Sequence, residues 1–302
     1  MARVIDLECN LPLGVDDPAY KESTQSRPGN PIADRLPRPE GYGFANYQRI
    51  FKGRVEKEAA PITEDADKLV AGLVTDMDKA GIEVGILVGA SVGTSARVAK
   101  AYPKRFIGLA AMSPLDGMRG VREFERLVHE GGIGGLRVSS LYNMVPASDK
   151  RYYPLYAKCV ELDVPVRIYT SMNYANDRPY DLGHPRHLDE ICIDFPELRV
   201  VAGLAGWPWT NDMVGLLRRH PNLYCDTAAH RPRHFSTPGS GWEQFMQFGN
   251  TLLQDKIMVG LSRGIFAVPF EQLIGEYQEL PLKDSVKEKW LYKNAANFFR
   301  LA

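Results

Sequence analysis

The stretch YPLYAKCVELDVPVRIYT, residues 153–170, decides the fold of this chain. Its first part places apolar side chains three and four positions apart, as an amphipathic helix does. Its last part is a short β-branched run that is typical of a buried strand. The phrase LDVPV at 162–166 joins the two directly. A helix that leads at once into a strand is one unit of a parallel α/β fold.

The same unit recurs along the sequence. Apolar runs predict eight strands: 3–8, 84–89, 105–112, 134–139, 164–170, 199–205, 222–228 and 256–262. Amphipathic segments that predict helices lie between them, including 64–80, 120–130, 153–162, 186–195 and 242–253. Eight alternations of strand and helix predict a (β/α)8 TIM barrel of the α/β class. We expect residues 1–302 to form a single domain, since such a barrel needs about 250 residues plus insertions.

Composition and charge exclude several classes of function. The 37 Lys and Arg residues balance 37 Asp and Glu residues, so no overall field attracts nucleic acid. No apolar run approaches the ~20 residues that span a bilayer, and the N-terminal sequence MARVIDLECN lacks the apolar core of a signal peptide. We therefore expect a cytoplasmic protein without a membrane or nucleic-acid partner. The scattered cysteines, which form no CxxC pair, predict free buried thiols.

A long segment after the first strand interrupts the compact pattern. Residues 11–61 contain six prolines between positions 12 and 39, together with several aromatic residues. A loop of this length is commonly a lid or a binding loop, and an ordered arm between subunits is the alternative. Either interpretation is compatible with a homo-oligomer, which we expect.

Polar residues collect where the predicted strands end. These ends form the functional mouth of a parallel barrel. The residues with candidate roles there are Glu8, Asn10, Arg137, Tyr169, Trp207, Asp226, His230, Ser262 and Arg263. Because side chains alternate along a strand, Glu8 and Asn10 share one face while Cys9 packs against the helices.

Four segments of the chain resemble the amidohydrolase-related family, the branch with aromatic-acid decarboxylases, hydratases and lactonases. They are IDLECN (5–10), VPVRIYTS (164–171), the run from VVAGLAGWPW to HPNLYCDTA (200–228), and KIMVGLS (256–262) followed by NAANFF (294–299). The resemblance extends over residues 3–301 and implies the same barrel. It also implies a metal site, but most of the metal-ligand positions hold other residues.

Those replacements shape the prediction for cofactors. Glu8 and Asn10 stand where the family has its pair of ligands on the first strand. Tyr169 stands in place of the His on the fifth strand, Leu204 in place of the His on the sixth, and Ser262 in place of the Asp on the eighth. A transition metal needs three or more imidazole or charged donors, which this set does not provide. We therefore expect no metal and no other cofactor. A relocated metal on Asp226, His230 and His234 is an alternative.

The first functional hypothesis is a metal-independent lyase or hydrolase that acts on a small cyclic or aromatic carboxylic acid. Arg137, inside an apolar strand, needs an anion, either a substrate carboxylate or a salt bridge with Glu8 or Asp226. Arg263, Asn10, Ser262 and Trp207 complete the predicted substrate site, and Glu8, His230, Tyr169 and Asp226 the catalytic set. The second hypothesis is a non-catalytic descendant that binds a ligand or partner through the same mouth.

Overall fold

The computed structural model describes residues 2–12, Asn46, Ile50 and 66–301. Eight parallel strands in sequential order surround a central axis, as the sequence predicts: β1 (Val4–Cys9), β2 (Ile82–Leu87), β3 (Phe106–Ala111), β4 (Ile133–Val138), β5 (Val166–Tyr169), β6 (Val200–Gly203), β7 (Leu223–Asp226) and β8 (Ile257–Met258). The barrel is brought together where Leu7 N–H donates to the carbonyl of Val259, 2.9 Å away, just after β8.

Helices follow the strands on the outside of the barrel. Those that the structure describes are α1 (Ala66–Ala80), α2 (Val92–Ala101), α3 (Gly117–Glu130), α4 (Ser140–Asn143), α5 (Tyr153–Glu161), α6 (Arg186–Asp194), α7 (Thr210–Arg219), α8 (Glu243–Gly249), α9 (Arg263–Phe266), α10 (Phe270–Gln278), α11 (Asp284–Glu288) and α12 (Asn294–Phe299), with a π-helical turn at Lys289–Lys293. Within residues 66–301 none of them is long and apolar enough to cross a membrane.

Two apolar clusters fill the molecule. The larger one lies between barrel and helices and includes the outward side chains of Leu87, Val166 and Ile168. The smaller one fills the inside of the barrel with Ile5, Leu7, Ile86, Val88, Leu109, Val201 and Met258, and side chains of α12 join it. Since Arg199 Nη1, just before β6, donates to the carbonyl of Phe298, α12 closes the end where the strands begin. The opposite end is the mouth.

The sequence-based boundaries agree with these elements, with one notable exception. The run 256–262 was expected to be a strand throughout, but β8 contains only Ile257–Met258. Residues beyond it turn into α9, and Ser262 has the left-handed backbone conformation with φ 52°. The predicted lid or arm at 11–61 lies outside the described residues, apart from Leu11, Pro12, Asn46 and Ile50.

The expected environment of the cysteines is confirmed. All four, at positions 9, 159, 192 and 225, are buried and unpaired. Cys9 belongs to the outer apolar cluster, and a Cβ on Gly85 of the next strand would lie 2.7 Å from its sulfur. This orientation turns Cys9 away from the mouth.

Candidate functional site

A buried arginine at the centre of the barrel organises the mouth. Arg167 on β5 faces the barrel interior, because its neighbours Val166 and Ile168 pack in the outer cluster. Its Nε donates to Oδ2 of Asp226 at 2.6 Å, and its Nη2 lies 3.2 Å from Oδ1 of the same carboxylate. The same Nη2 lies 2.5 Å from Oε2 of Glu8. We call this group the Glu8–Arg167–Asp226 triad.

Asp226 is the most enclosed member of the triad. It is 0% exposed, while the Arg167 and Glu8 side chains are 5% and 13% exposed. Besides the guanidinium, its Oδ1 accepts backbone N–H groups from Leu204 and Ala228, each at 3.0 Å. A carboxylate with this many donors is held firmly in place as part of the framework. Its oxygens are not available to take a proton from a substrate, so the geometry does not support a catalytic role for Asp226.

Arg137 on β4 lies beside Arg167, since the two residues are register partners of adjacent strands. It is half-buried, and its guanidinium makes no ion pair or hydrogen bond with any described residue. The salt bridge to Glu8 or Asp226 that was one of its two expected roles is therefore made by Arg167 instead. A guanidinium at this depth without a counter-charge is suited to bind an anion.

A buried hydroxyl follows Arg137 on the same face of the chain. Ser139 is two residues further on, with extended backbone angles of φ −129° and ψ 103°. Its Oγ is buried and has no hydrogen-bond partner among the described residues. Leaving a buried hydroxyl without a partner costs about 1–3 kcal/mol, which favours a ligand or water at this position. Ser139 was not among the predicted site residues.

Asp6 contributes a second carboxyl group beneath Glu8. Its Oδ1 accepts the backbone N–H groups of Leu261 at 2.7 Å and Glu8 at 3.0 Å, which fastens β1 to the segment after β8. Its Oδ2 is buried without a partner among the described residues. Burial raises the pKa of Asp6 to about 7, although the two N–H donors oppose this shift. Asp6 therefore changes charge near neutral pH.

His230 lies in an aromatic box formed by the loops after β6 and β7. Its ring centroid is 5.5 Å from that of Trp207 and 5.1 Å from that of Trp242. Its Nε2 is buried and has no partner within the described part of the chain. Burial away from water lowers the pKa of His230 to about 3. At neutral pH the imidazole is therefore uncharged and can exchange a hydrogen bond with a ligand, but it is not an acid.

The loop that carries His230 is anchored to α10. Arg231 forms a buried, two-point ion pair with Glu276, in which Nε lies 2.9 Å from Oε2. The Thr227 and Tyr277 hydroxyls hydrogen bond at 2.5 Å. On the other side of the loop, Ser262 Oγ accepts the N–H of Ala229 at 2.7 Å. These contacts fix the loop and so position His230, although none of them involves the His230 side chain.

The remaining predicted site residues divide into two groups. Tyr169 and Trp207 lie at the mouth: the Tyr169 hydroxyl donates to the carbonyl of Met172 at 2.8 Å, and the Trp207 ring stacks on Tyr174 with centroids 6.4 Å apart. Asn10 lies against Gly89, where an added Cβ would be 2.6 Å from its Oδ1. All three thus lie at the mouth of the barrel.

Arg263 and Ser262 form the second group, whose side chains are engaged in structural contacts. Arg263 Nη1 lies 2.8 Å from Oδ2 of Asp76 on α1, and its guanidinium carbon lies 4.7 Å from the ring centroid of Phe270. It therefore points towards the outer helices, which argues against the predicted contact with substrate. Ser262 is fully buried and uses its Oγ to hold the β7 loop. It serves as a loop brace in this geometry.

The side chains at the positions that the resemblance assigns to metal ligands do not fit a divalent metal. Glu8 is paired with Arg167, the Tyr169 hydroxyl is used by a carbonyl, Leu204 has no donor side chain and Ser262 already accepts an amide N–H. A divalent transition metal needs several free carboxylate, imidazole or thiolate donors at about 2 Å.

The alternative metal set is not assembled either. Asp226 is used by Arg167, His230 lies in the aromatic box, and His234 is exposed with its Nε2 3.3 Å from Nε of Arg233. Across residues 2–12 and 66–301, no three His, Cys, Asp or Glu side chains come together in a way that could hold a metal ion. The alternative of a relocated site therefore finds no assembled set of ligands among the described residues.

Comparison with known proteins adds to this picture. A family model described as amidohydrolase matches residues 63–301. A curated protein from Sphingobium sp., 2-keto-4-carboxy-3-hexenedioate hydratase, is 36% identical over 84 residues. That match covers 25% of this chain and only 25% of the hydratase.

Solved structures with a similar fold align over almost the whole chain. An uncharacterised TIM-barrel protein from Bordetella bronchiseptica has a TM-score of 0.70 at 24% identity and covers 99% of this chain and 98% of its own. 5-Carboxyvanillate decarboxylase from Sphingomonas paucimobilis has a TM-score of 0.66 at 16% identity, and the match covers 100% of both chains. 4-Oxalomesaconate hydratase from Rhodopseudomonas palustris has a TM-score of 0.63 at 18% identity, and the match covers 98% of this chain and 95% of the hydratase. At these identities the likeness shows the fold.

Proposed function

This chain belongs to the amidohydrolase family, and from that premise we propose that it is an enzyme that acts on a small cyclic or aromatic carboxylic acid without a bound metal. The reaction class is that of a lyase or hydrolase, of the decarboxylase or lactonase type. The named similar proteins, a decarboxylase and two hydratases, support a carboxylic-acid substrate for this chain.

The observation that carries the proposal is the unpaired guanidinium of Arg137. It is half-buried at the end of β4 and has no counter-charge among the described residues, whereas Arg167 beside it is fully neutralised. A planar guanidinium binds a carboxylate with two parallel hydrogen bonds. A substrate carboxylate at Arg137 would supply the missing charge.

The aromatic box supplies the apolar side of the site. Trp207 and the uncharged ring of His230 present flat surfaces that suit a planar ring or an unsaturated chain. The buried Nε2 of His230 would exchange a hydrogen bond with a polar substituent of that ring. In this arrangement the ligand reaches from Arg137 on β4 to the loop after β7.

Proton transfer falls to Glu8. It lies at the end of β1 with part of its side chain exposed, and its Oε2 is held by Arg167. Its carboxylate can accept a proton from the substrate or from water, and return it. His230 does not serve as the acid, because its pKa is lowered to about 3. Asn10 would donate a hydrogen bond to negative charge that develops on the substrate. Tyr169 would do so only if its hydroxyl left the carbonyl of Met172, to which it donates here.

Turnover of a panel of hydroxylated aromatic acids, unsaturated dicarboxylic acids and lactones, followed by mass spectrometry, tests the proposal. We expect Arg137→Met to lower kcat/KM by about tenfold or more, since a charge-assisted pair is lost. Arg263→Met is the matched control and should leave turnover unchanged, because its guanidinium is paired with Asp76. Full activity in both Arg137→Met and His230→Phe would exclude the assignment.

Binding of a carboxylic acid without any product would instead favour a non-catalytic descendant of the family. A homo-oligomer and a cytoplasmic location stay predictions. Gel filtration with light scattering addresses the first of them.

A further inference from the structure

The Glu8–Arg167–Asp226 triad resembles a metal-ion site, because one positive group lies between two carboxylates. One cation lies between carboxylates that come from opposite parts of the chain, β1 and β7. All three members are at least mostly buried, with Arg167 at 5% exposure and Asp226 at 0%. Charges separated from water interact more strongly than charges on the surface, so the triad holds its geometry tightly.

The donors of Arg167 use the oxygens that a metal ion would require. Both oxygens of Asp226 accept from the guanidinium, and Oε2 of Glu8 lies against Nη2. Glu8 is also the residue that corresponds to a metal ligand in the resemblance described above. A second metal cation at the same carboxylates would meet the fixed charge of Arg167 and that of its register partner Arg137.

We propose that the Arg167 guanidinium is a tethered cation that takes the position and the charge of a metal ion at the mouth of this barrel. This inference rests on the proposed function, and it identifies the residue that makes a bound metal unnecessary there. Arg167 keeps its charge at every physiological pH and is part of the chain, so a chelator does not remove it.

A guanidinium is not equivalent to a metal in every respect. It donates N–H groups in a planar fork and has no open coordination position for a substrate oxygen. Its effect is therefore electrostatic and positional: it fixes Glu8 at the mouth of the barrel and balances the charge of Asp226. If Arg167 were only a structural cross-link, its removal would lower stability without creating affinity for a metal.

Equilibrium dialysis against Mn²⁺, with metal content read by mass spectrometry, separates these two roles. We expect wild-type protein to hold no stoichiometric Mn²⁺ and Arg167→Met to bind it at least about tenfold more tightly, since a unit positive charge has left two carboxylates. Adding Glu8→Gln to Arg167→Met should abolish the gain. Arg167→Lys, which keeps the charge, should resemble wild type.

Arg231→Met is the matched control, because it also removes a buried guanidinium from a carboxylate but lies outside the triad. It should gain no Mn²⁺ site. A folded Arg167→Met that binds Mn²⁺ no better than wild type would overturn the inference. One equivalent of Mn²⁺ in the wild type that is absent from Glu8→Gln would also overturn it. This second measurement decides between the two roles if Arg167→Met does not fold. Absence of turnover would refute the proposed function but would change none of these binding results.

Discussion

Removal of the central guanidinium gives the sharpest test of how the barrel is held together. In Arg167→Met the methionine fills much of the vacated volume, but Asp226 and Glu8 lose their counter-charge. Breaking a buried ion pair by removing one partner costs about 3–5 kcal/mol, because the remaining charge stays buried without compensation. Asp226 keeps its two backbone N–H donors, which places the expected loss within that range.

Arg263→Met is the matched control for this experiment. It also removes an arginine from an aspartate, but that pair is 39% and 41% exposed. Exposed pairs contribute about 0–1 kcal/mol, so the control should be almost as stable as wild type. Urea unfolding and thermal melting, both in buffer that contains a chelator, measure the difference in stability. We expect Tm to fall by roughly 5–8 °C in Arg167→Met.

The double variant Arg167→Met/Asp226→Leu refines the test. Replacing a buried charged network by apolar side chains of similar volume can restore stability, so this variant should recover part of the loss. Equal destabilisation by Arg167→Met and Arg263→Met would refute the reasoning, since burial would then make no difference to the strength of the pair.

Three further predictions follow from the groups around the triad. Burial raises the pKa of Asp6 to about 7, so the folded state keeps a proton that the unfolded state releases above about pH 4. The stabilisation that this proton gives to the folded state is lost as the pH rises through 7. Asp6→Asn should therefore raise Tm at about pH 8 and change it little near pH 4; equal shifts at both would contradict this. Because burial lowers the pKa of His230 to about 3, its contribution is present above about pH 6.5 and lost as the pH falls towards 3, so His230→Phe should flatten the decline of Tm in acid. Arg231→Met frees the His230 loop from Glu276, and we expect kcat/KM on an accepted acid to fall by about tenfold or more; unchanged kinetics would show that the ion pair does not position the loop.

The sequence predicted the barrel because its evidence is local and repeated. Each strand is a short apolar run with its own helix, and eight such units leave few alternative arrangements. The shortness of β8 was not predictable in this way. Residues 259–262 are as apolar as a strand requires, but Ser262 turns the chain at φ 52° to bring its Oγ to the β7 loop.

The site was harder to predict because its contacts join distant strands. Alternation indicates that Arg137 and Arg167 both face inward, but it cannot tell which of them reaches Asp226 from across the barrel. Arg137 was among the predicted site residues, whereas Arg167 was not. A polar residue between apolar neighbours in VPVRIYT was the available signal. Trp242 of the aromatic box gave no such signal, since its position depends on the fold of the loop after β7.

Metal independence is tested most directly by the rate of product formation by protein that has been dialysed against a strong chelator. The sample is measured on an accepted carboxylic acid, with and without added Mn²⁺ or Zn²⁺, beside Arg137→Met treated in the same way. A metal-independent enzyme should show full turnover in the metal-free wild type, no gain on adding metal, and loss of turnover in Arg137→Met. Turnover that disappears on chelation and returns with one equivalent of metal would contradict it.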